Sequence, residues 1–174
     1  MNTSLALKCF ATFAFGSLLV GSAHAEDWKV TGEFGCYGIG KTYQLDKGHV
    51  YWMGEFTGTF FNDKGKGSLF DRSGVRCPAY NDVDLNNKKN QTSGYCIIAD
   101  ANGDQAYLSF QGEGDVATIP GTFKYTGGTG KYQNISGDNT FVGHIEVNWQ
   151  DGTSSCFATW NKYCANCCDP VGGC

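Results

Sequence analysis

Glycine recurs through this chain at short intervals, between stretches rich in aromatic and β-branched residues, and that spacing constrains the fold more than any other feature. Twenty-three of the 25 glycines lie beyond residue 25. Each would cost a helix interior about 1 kcal/mol relative to alanine, and beyond residue 25 no segment sustains a helical apolar stripe over three turns. Period-two alternation takes its place. From Val50 to Phe60 one face reads Val50, Trp52, Gly54, Phe56, Gly58, Phe60, and the other Tyr51, Met53, Glu55, Thr57, Thr59. Near the end, Phe141, Gly143, Ile145, Val147 and Trp149 form a core side, and Val142, His144, Glu146 and Asn148 a wetter one. The same logic predicts strands over Trp28–Phe34, Tyr95–Asp100, Ala106–Gln111, Gly121–Thr126 and Cys156–Trp160. The polar, asparagine-rich stretch from Asp71 to Ser93 reads as a long loop, tied down by Cys77 and bounded by Cys96. Seven or eight antiparallel strands carrying internal glycines suit a barrel, because glycine relieves crowding at bends and closure removes exposed edges.

The ends of the chain point to export. Lys8 precedes an apolar run from Cys9 to Val20, which is followed by Ala23-His24-Ala25. This is the layout of a secretory signal peptide cleaved after Ala25. The run is shorter than the roughly 20 residues that a spanning helix needs, so no membrane anchor is expected. Cys9 stands at the start of the run, whereas a lipid-modified cysteine follows one. The division is therefore a signal peptide (1–25), a β-barrel domain (26–160) and a Cys-rich C-terminal tail (161–174), with a periplasmic or secreted destination.

Removing the signal leaves eight cysteines: Cys36, Cys77, Cys96, Cys156, Cys164, Cys167, Cys168 and Cys174. An even count in an exported chain predicts disulfides, and spacing alone does not choose among the pairings. Four are scattered and four crowd the terminus, which predicts two partly separate networks. The charge balance beyond residue 25 is 12 basic against 17 acidic residues, without a basic tract. That argues against nucleic acid or an anionic membrane as partner, since both are held first through phosphate electrostatics.

The segment from Phe123 to Phe141, with Gly127-Gly128-Thr129-Gly130 followed by Tyr132 and by Ile135-Ser136-Gly137, resembles the barrel proteins related to allene oxide cyclases and dirigent proteins. The upstream run Gln105 to Gly114 resembles the preceding strand of that group. The similarity covers about residues 105–149 and, more loosely, 28–61. It implies a single antiparallel eight-stranded, calycin-like barrel. It also implies one of two activities, cyclisation of a fatty-acid epoxide or guidance of radical coupling, and a homo-oligomer, often a trimer. The terminal cysteine cluster lies outside the family pattern.

Several motifs invite sharper readings. Gly127 to Lys131 looks like a phosphate loop, but Tyr125 stands where the first glycine belongs and Tyr132 where Ser or Thr would hold the metal; a turn is the simpler reading. Asp100, Asn102 and Asp104 alternate as a calcium loop begins, but Gln111 occupies the position of the closing Glu, so an Asn-Gly hairpin is expected. Cys164 to Cys168 with Cys174 suits structural disulfides better than a metal or redox centre in an oxidising compartment. His144 and Glu146 share one strand face and, with Glu55, are the candidate catalytic groups; an outward polar face gives the same pattern.

Trp52, Phe56, Phe60, Tyr107, Tyr125 and Tyr132 are the candidate lining of a ligand cavity, with the glycines at 54 and 58 leaving room beside the aromatics. No cofactor or metal is expected. The favoured function is a non-enzymatic, exported barrel that binds a small hydrophobic ligand or acts structurally. The alternatives are a cyclase or isomerase using Glu55 or a buried tyrosine, and a metal- or thiol-handling protein using the terminal cysteines.

Overall fold

The computed structural model describes residues 28–161. Alternating stretches and turn residues build eight strands: β1 (Gly32–Asp46), β2 (His49–Asn62), β3 (Ser73–Asp84), β4 (Lys89–Ala99), β5 (Gln105–Gly114), β6 (Thr118–Gly128), β7 (Asp138–Asn148) and β8 (Ser154–Trp160). Each pairs antiparallel with the next and β8 returns to β1, closing the sheet. The fold is an all-β, eight-stranded antiparallel barrel with two disulfides, Cys36–Cys156 and Cys77–Cys96. The expected signal peptide (1–25) and the tail cysteines Cys164, Cys167, Cys168 and Cys174 lie outside the described residues.

Three expectations about local structure differ from what is found. The strand expected over Trp28–Phe34 starts at Gly32 and runs on to Asp46. Most of Asp71–Ser93 is not a loop: it holds β3 and the start of β4, which pair from Gly74↔Ala99 to Asp84↔Lys89. The inward residues of β3 are Ser73, Val75, Cys77, Ala79 and Asn81, all buried, whereas Arg76, Pro78 and Tyr80 face out. Small and polar side chains on the inner face hide the apolar alternation. In β7, a bulge at Glu146 sets Ile145 opposite Cys156 but Val147 opposite Ser155. The face reverses there, so Val147 and Trp149 are exposed rather than on the core side.

The two ends of the barrel differ. At one, the connections are short: Lys47-Gly48, 85–88, 115–117 and 149–153. Carboxylates cap these turns, as where Asp115 Oδ1 accepts from the backbone N–H of Ala117 (2.8 Å) and Thr118 (2.6 Å). At the other end, residues 63–72 and 129–137 are long and fold back over the opening. Phe70, from the first, and Tyr132, on a 3-10 turn (Gly130–Tyr132) in the second, meet with ring centroids 5.0 Å apart. Trp28 packs edge-on to Tyr132 at 6.5 Å. Phe70 holds a left-handed backbone (φ 60), a conformation that costs about 1–2 kcal/mol for a residue with a Cβ. Burial of its ring offsets that cost.

The core lies in this plugged half. Phe34, Phe60, Val75, Ile98, Leu108, Phe123, Tyr125, Phe141 and Trp160 interdigitate in one cluster with the plug residues. Trp160 links two of the rings, at 4.4 Å from Phe60 and 4.6 Å from Phe123. The half nearer the hairpin turns is filled differently, and that asymmetry positions the candidate site.

Candidate functional site

Above the core floor the barrel encloses a cavity of about 80 Å³, reached from the hairpin end. Its floor is Phe34, Trp160, Phe123 and Leu108; its walls are Phe56, Phe110, Ile119, Phe141, Ile145 and both disulfides. Strand register explains the arrangement. Cys36 pairs with Cys156 across β1 and β8, Gly58 pairs with Cys36, and Phe56 pairs with Cys77. One disulfide therefore lies on either side of β2, with the Phe56 ring projecting inward between them. Three residues with polar side chains, Asn81, Thr92 and His144, are among those that bound a largely apolar cavity, and the first two are register partners on β3 and β4.

Glycines on the inner face are mostly covered. The Trp52 indole lies over Gly54, where a Cβ would come within 2.6 Å of its Cζ2, and it stacks on Phe56 at 4.8 Å. Gly58 packs against the backbone of β1 at Gly35. The room expected beside the aromatics of β2 is thus taken by ring and backbone. Space opens instead at Gly143 on β7, where a Cβ would meet nothing nearer than Phe141 Cε2 at 3.7 Å.

The candidate ligand residues fall in separate places. Phe56 lies on the cavity wall and Trp52 stacks against it from the direction of the opening. Phe60 is fully buried in the core below. Tyr125 is also buried in the core; desolvation raises its phenol pKa far above the usual value, and its O–H donates to the Trp28 carbonyl at 3.4 Å. Tyr132 plugs the far end, donating to Asp100 Oδ2 at 3.2 Å. Tyr107 lies between inward Ala106 and Leu108 on β5 and donates to Gln105 Oε1 at 2.9 Å.

The candidate catalytic groups are also dispersed. Glu55 faces outward and accepts two hydrogen bonds from Arg76, Nε at 2.8 Å and Nη2 at 2.7 Å. That bidentate pairing raises the guanidinium pKa. His144 stacks on Phe157 with ring centroids 4.6 Å apart, and Glu146 occupies the β7 bulge, exposed. The residues that bound the cavity include His144 but neither a carboxylate nor a tyrosine. Among the described residues, no group of three or more His, Cys, Asp or Glu side chains is placed to hold a metal. In the Asp100–Asp104 loop, Asp100 accepts from the Asn102 and Asp104 backbone and pairs with the Lys131 ammonium at 2.5 Å.

A comparison of the chain with protein-family models, with curated proteins and with solved structures finds no match. The site is therefore read from its own geometry. Asn81, Phe110, Ile119, Gly143 and Ile145 belong to it and are missing from the lining read off the sequence. For Asn81 a signal was present, since Cys77, Ala79 and Asn81 alternate, but asparagine there reads as loop.

Proposed function

We propose that this chain is an exported, non-enzymatic barrel that holds a small apolar ligand in the half of its interior nearer the hairpin turns. The observation that carries this reading is the uneven filling: interlocked rings occupy the plugged half, while an apolar cavity of about 80 Å³ remains above them. An eight-stranded barrel has just enough width to be filled or to hold one small ligand. The volume suits a single ring or a short alkyl chain. A ligand of about seven non-hydrogen atoms, at about 0.6 kcal/mol per atom, binds with about 4 kcal/mol, which corresponds to a dissociation constant of about 1 mM. Contacts with Trp52 at the opening would tighten binding of a longer molecule.

Export is supported by the Lys8 to Ala25 layout and by two cross-strand disulfides in the barrel, which persist in oxidising compartments. Kinship with the allene oxide cyclase and dirigent barrels is part of the proposal; its support is the Gly127 to Ile135 segment together with eight-stranded closure. Binding is favoured over cyclisation because Glu55 is paired with Arg76 on the outer face, no carboxylate or tyrosine bounds the cavity, and His144, which does, has its expected partner Glu146 exposed at the β7 bulge.

Toluene tests the reading. At about 5 mM, with a dissociation constant of about 1 mM, it stabilises the protein by about 1 kcal/mol, a rise in Tm of about 3 °C. Filling the cavity with Gly143→Leu removes the rise. An unchanged Tm with both toluene and its hydroxyl analogue phenol would overturn the proposal.

A further inference from the structure

Asn81 is 8 % exposed and Asn90 2 % exposed, and the side-chain oxygen of each is buried without a hydrogen-bond partner. Both face inward: Asn81 continues the Cys77, Ala79 series of β3, and Asn90 lies two residues before Thr92, the register partner of Asn81. On a sheet such diagonal neighbours sit about 7–8 Å apart. Asn81 is on the cavity wall and Asn90 lies beyond it toward the turns. The Thr92 hydroxyl does not serve either oxygen, because it donates to the Tyr80 carbonyl at 2.9 Å.

Buried polar atoms in folded proteins are almost always hydrogen-bonded, so an orphaned acceptor on the wall of a largely apolar cavity, which neither Thr92 nor His144 serves, calls for a donor from outside the chain. Apolar residues of similar shape would have avoided the penalty altogether. We infer that the ligand is amphipathic, an apolar body carrying a hydroxyl or another hydrogen-bond donor that Asn81 Oδ1 accepts, with Asn90 Oδ1 as a second acceptor for a longer molecule. This rests on the proposed ligand-binding reading and specifies its chemistry. The apolar part lies on Phe56, Phe110 and Ile119, and the donor end points to the β3–β4 wall.

Toluene and phenol separate the two levels, since they match in size and differ by one hydroxyl. A wholly apolar pocket prefers toluene by about tenfold or more, because the hydroxyl loses water without a replacement. Calorimetric titration of the full barrel, disulfides intact, is expected to show phenol bound at least as tightly as toluene. Asn81→Leu is expected to restore a preference of about tenfold for toluene. If the wild-type protein binds toluene more tightly than phenol, or if folded Asn81→Leu keeps the wild-type preference, this inference is wrong while ligand binding stands. If neither compound binds, the ligand-binding reading itself falls. The wild-type comparison decides the matter even where the variant does not fold.

Discussion

Cys36 and Cys156 face each other across the strand pair that closes the barrel, with Cα atoms 5.0 Å apart and a sequence separation of 120. That bond joins the first strand to the last, whereas Cys77–Cys96 spans only 19 residues within one hairpin. Chain-entropy reasoning assigns about 5 kcal/mol to the longer loop and about 3 kcal/mol to the shorter. Both bonds line the same cavity, so the packing lost on replacement is similar. In urea unfolding, Cys36→Ala/Cys156→Ala is expected to lose about 1–2 kcal/mol more than Cys77→Ala/Cys96→Ala. Equal losses would mean that barrel closure is not what the first bond secures.

His49 Nε2 lies 2.6 Å from Asp82 Oδ1 at the rim of the hairpin end. The hydrogen bond to Asp82 raises the His49 pKa above its ordinary value of 6.5. The sign follows: the pairing contributes fully below the unfolded-state pKa and is lost as pH rises through the higher folded-state value. Because the pair is exposed, the effect belongs to a titration curve more than to global stability. NMR titration of the His49 ring is expected to give a midpoint above 6.5, and Asp82→Asn is expected to lower it.

Asp100 collects the plug. It accepts from Tyr132 Oη and pairs with Lys131, and the Lys131 interaction is the largest cause of its lowered carboxyl pKa. A carboxylate depressed in the folded state stabilises above its unfolded-state pKa, and that contribution disappears as pH falls through the folded-state value. Acid unfolding of Asp100→Asn should therefore show a weaker loss below pH 4 than the wild type, with lower stability at neutral pH. Tyr132 is 1 % exposed; Tyr132→Ala is expected to cost about 3–5 kcal/mol, and Tyr132→Phe, which removes only the hydroxyl, about 1 kcal/mol.

Part of what the sequence leaves unread lies in β3. Strands with aromatic inner faces, such as β2 around Phe56 and Phe60, announce themselves by period-two alternation. The inner face of β3 does not, because Ser73, Ala79 and Asn81 are small or polar where a filled barrel would carry large apolar groups. One of the residues that disguise the strand as a loop, Asn81, is also a residue that makes the cavity wall unusual. A local pattern that disagrees with the global fold is where function is to be expected. The bulge at Glu146 is illegible for another reason: nothing in the alternation of Phe141 to Trp149 marks where the register slips, and only pairing with β8 shows that Val147 and Trp149 turn outward.

The location of the empty space makes its own prediction through two glycines on adjoining strands. Gly121 pairs with Phe141, and a Cβ there would come within 2.5 Å of the Phe141 ring, so the ring lies flat on that backbone. Gly143, one inward position further along β7, has room for the same atom. Overpacking a filled site costs about 1–3 kcal/mol, while adding a methyl to open space costs little and removes backbone freedom from the unfolded chain. Thermal unfolding of Gly121→Ala is expected to show a loss in that range, and Gly143→Ala a change within about 0.5 kcal/mol. Toluene then supplies the second readout. Its stabilisation of Gly143→Ala should be smaller than that of the wild type, because the added methyl occupies cavity volume. Equal costs at the two positions would mean that the interior is packed alike in both halves.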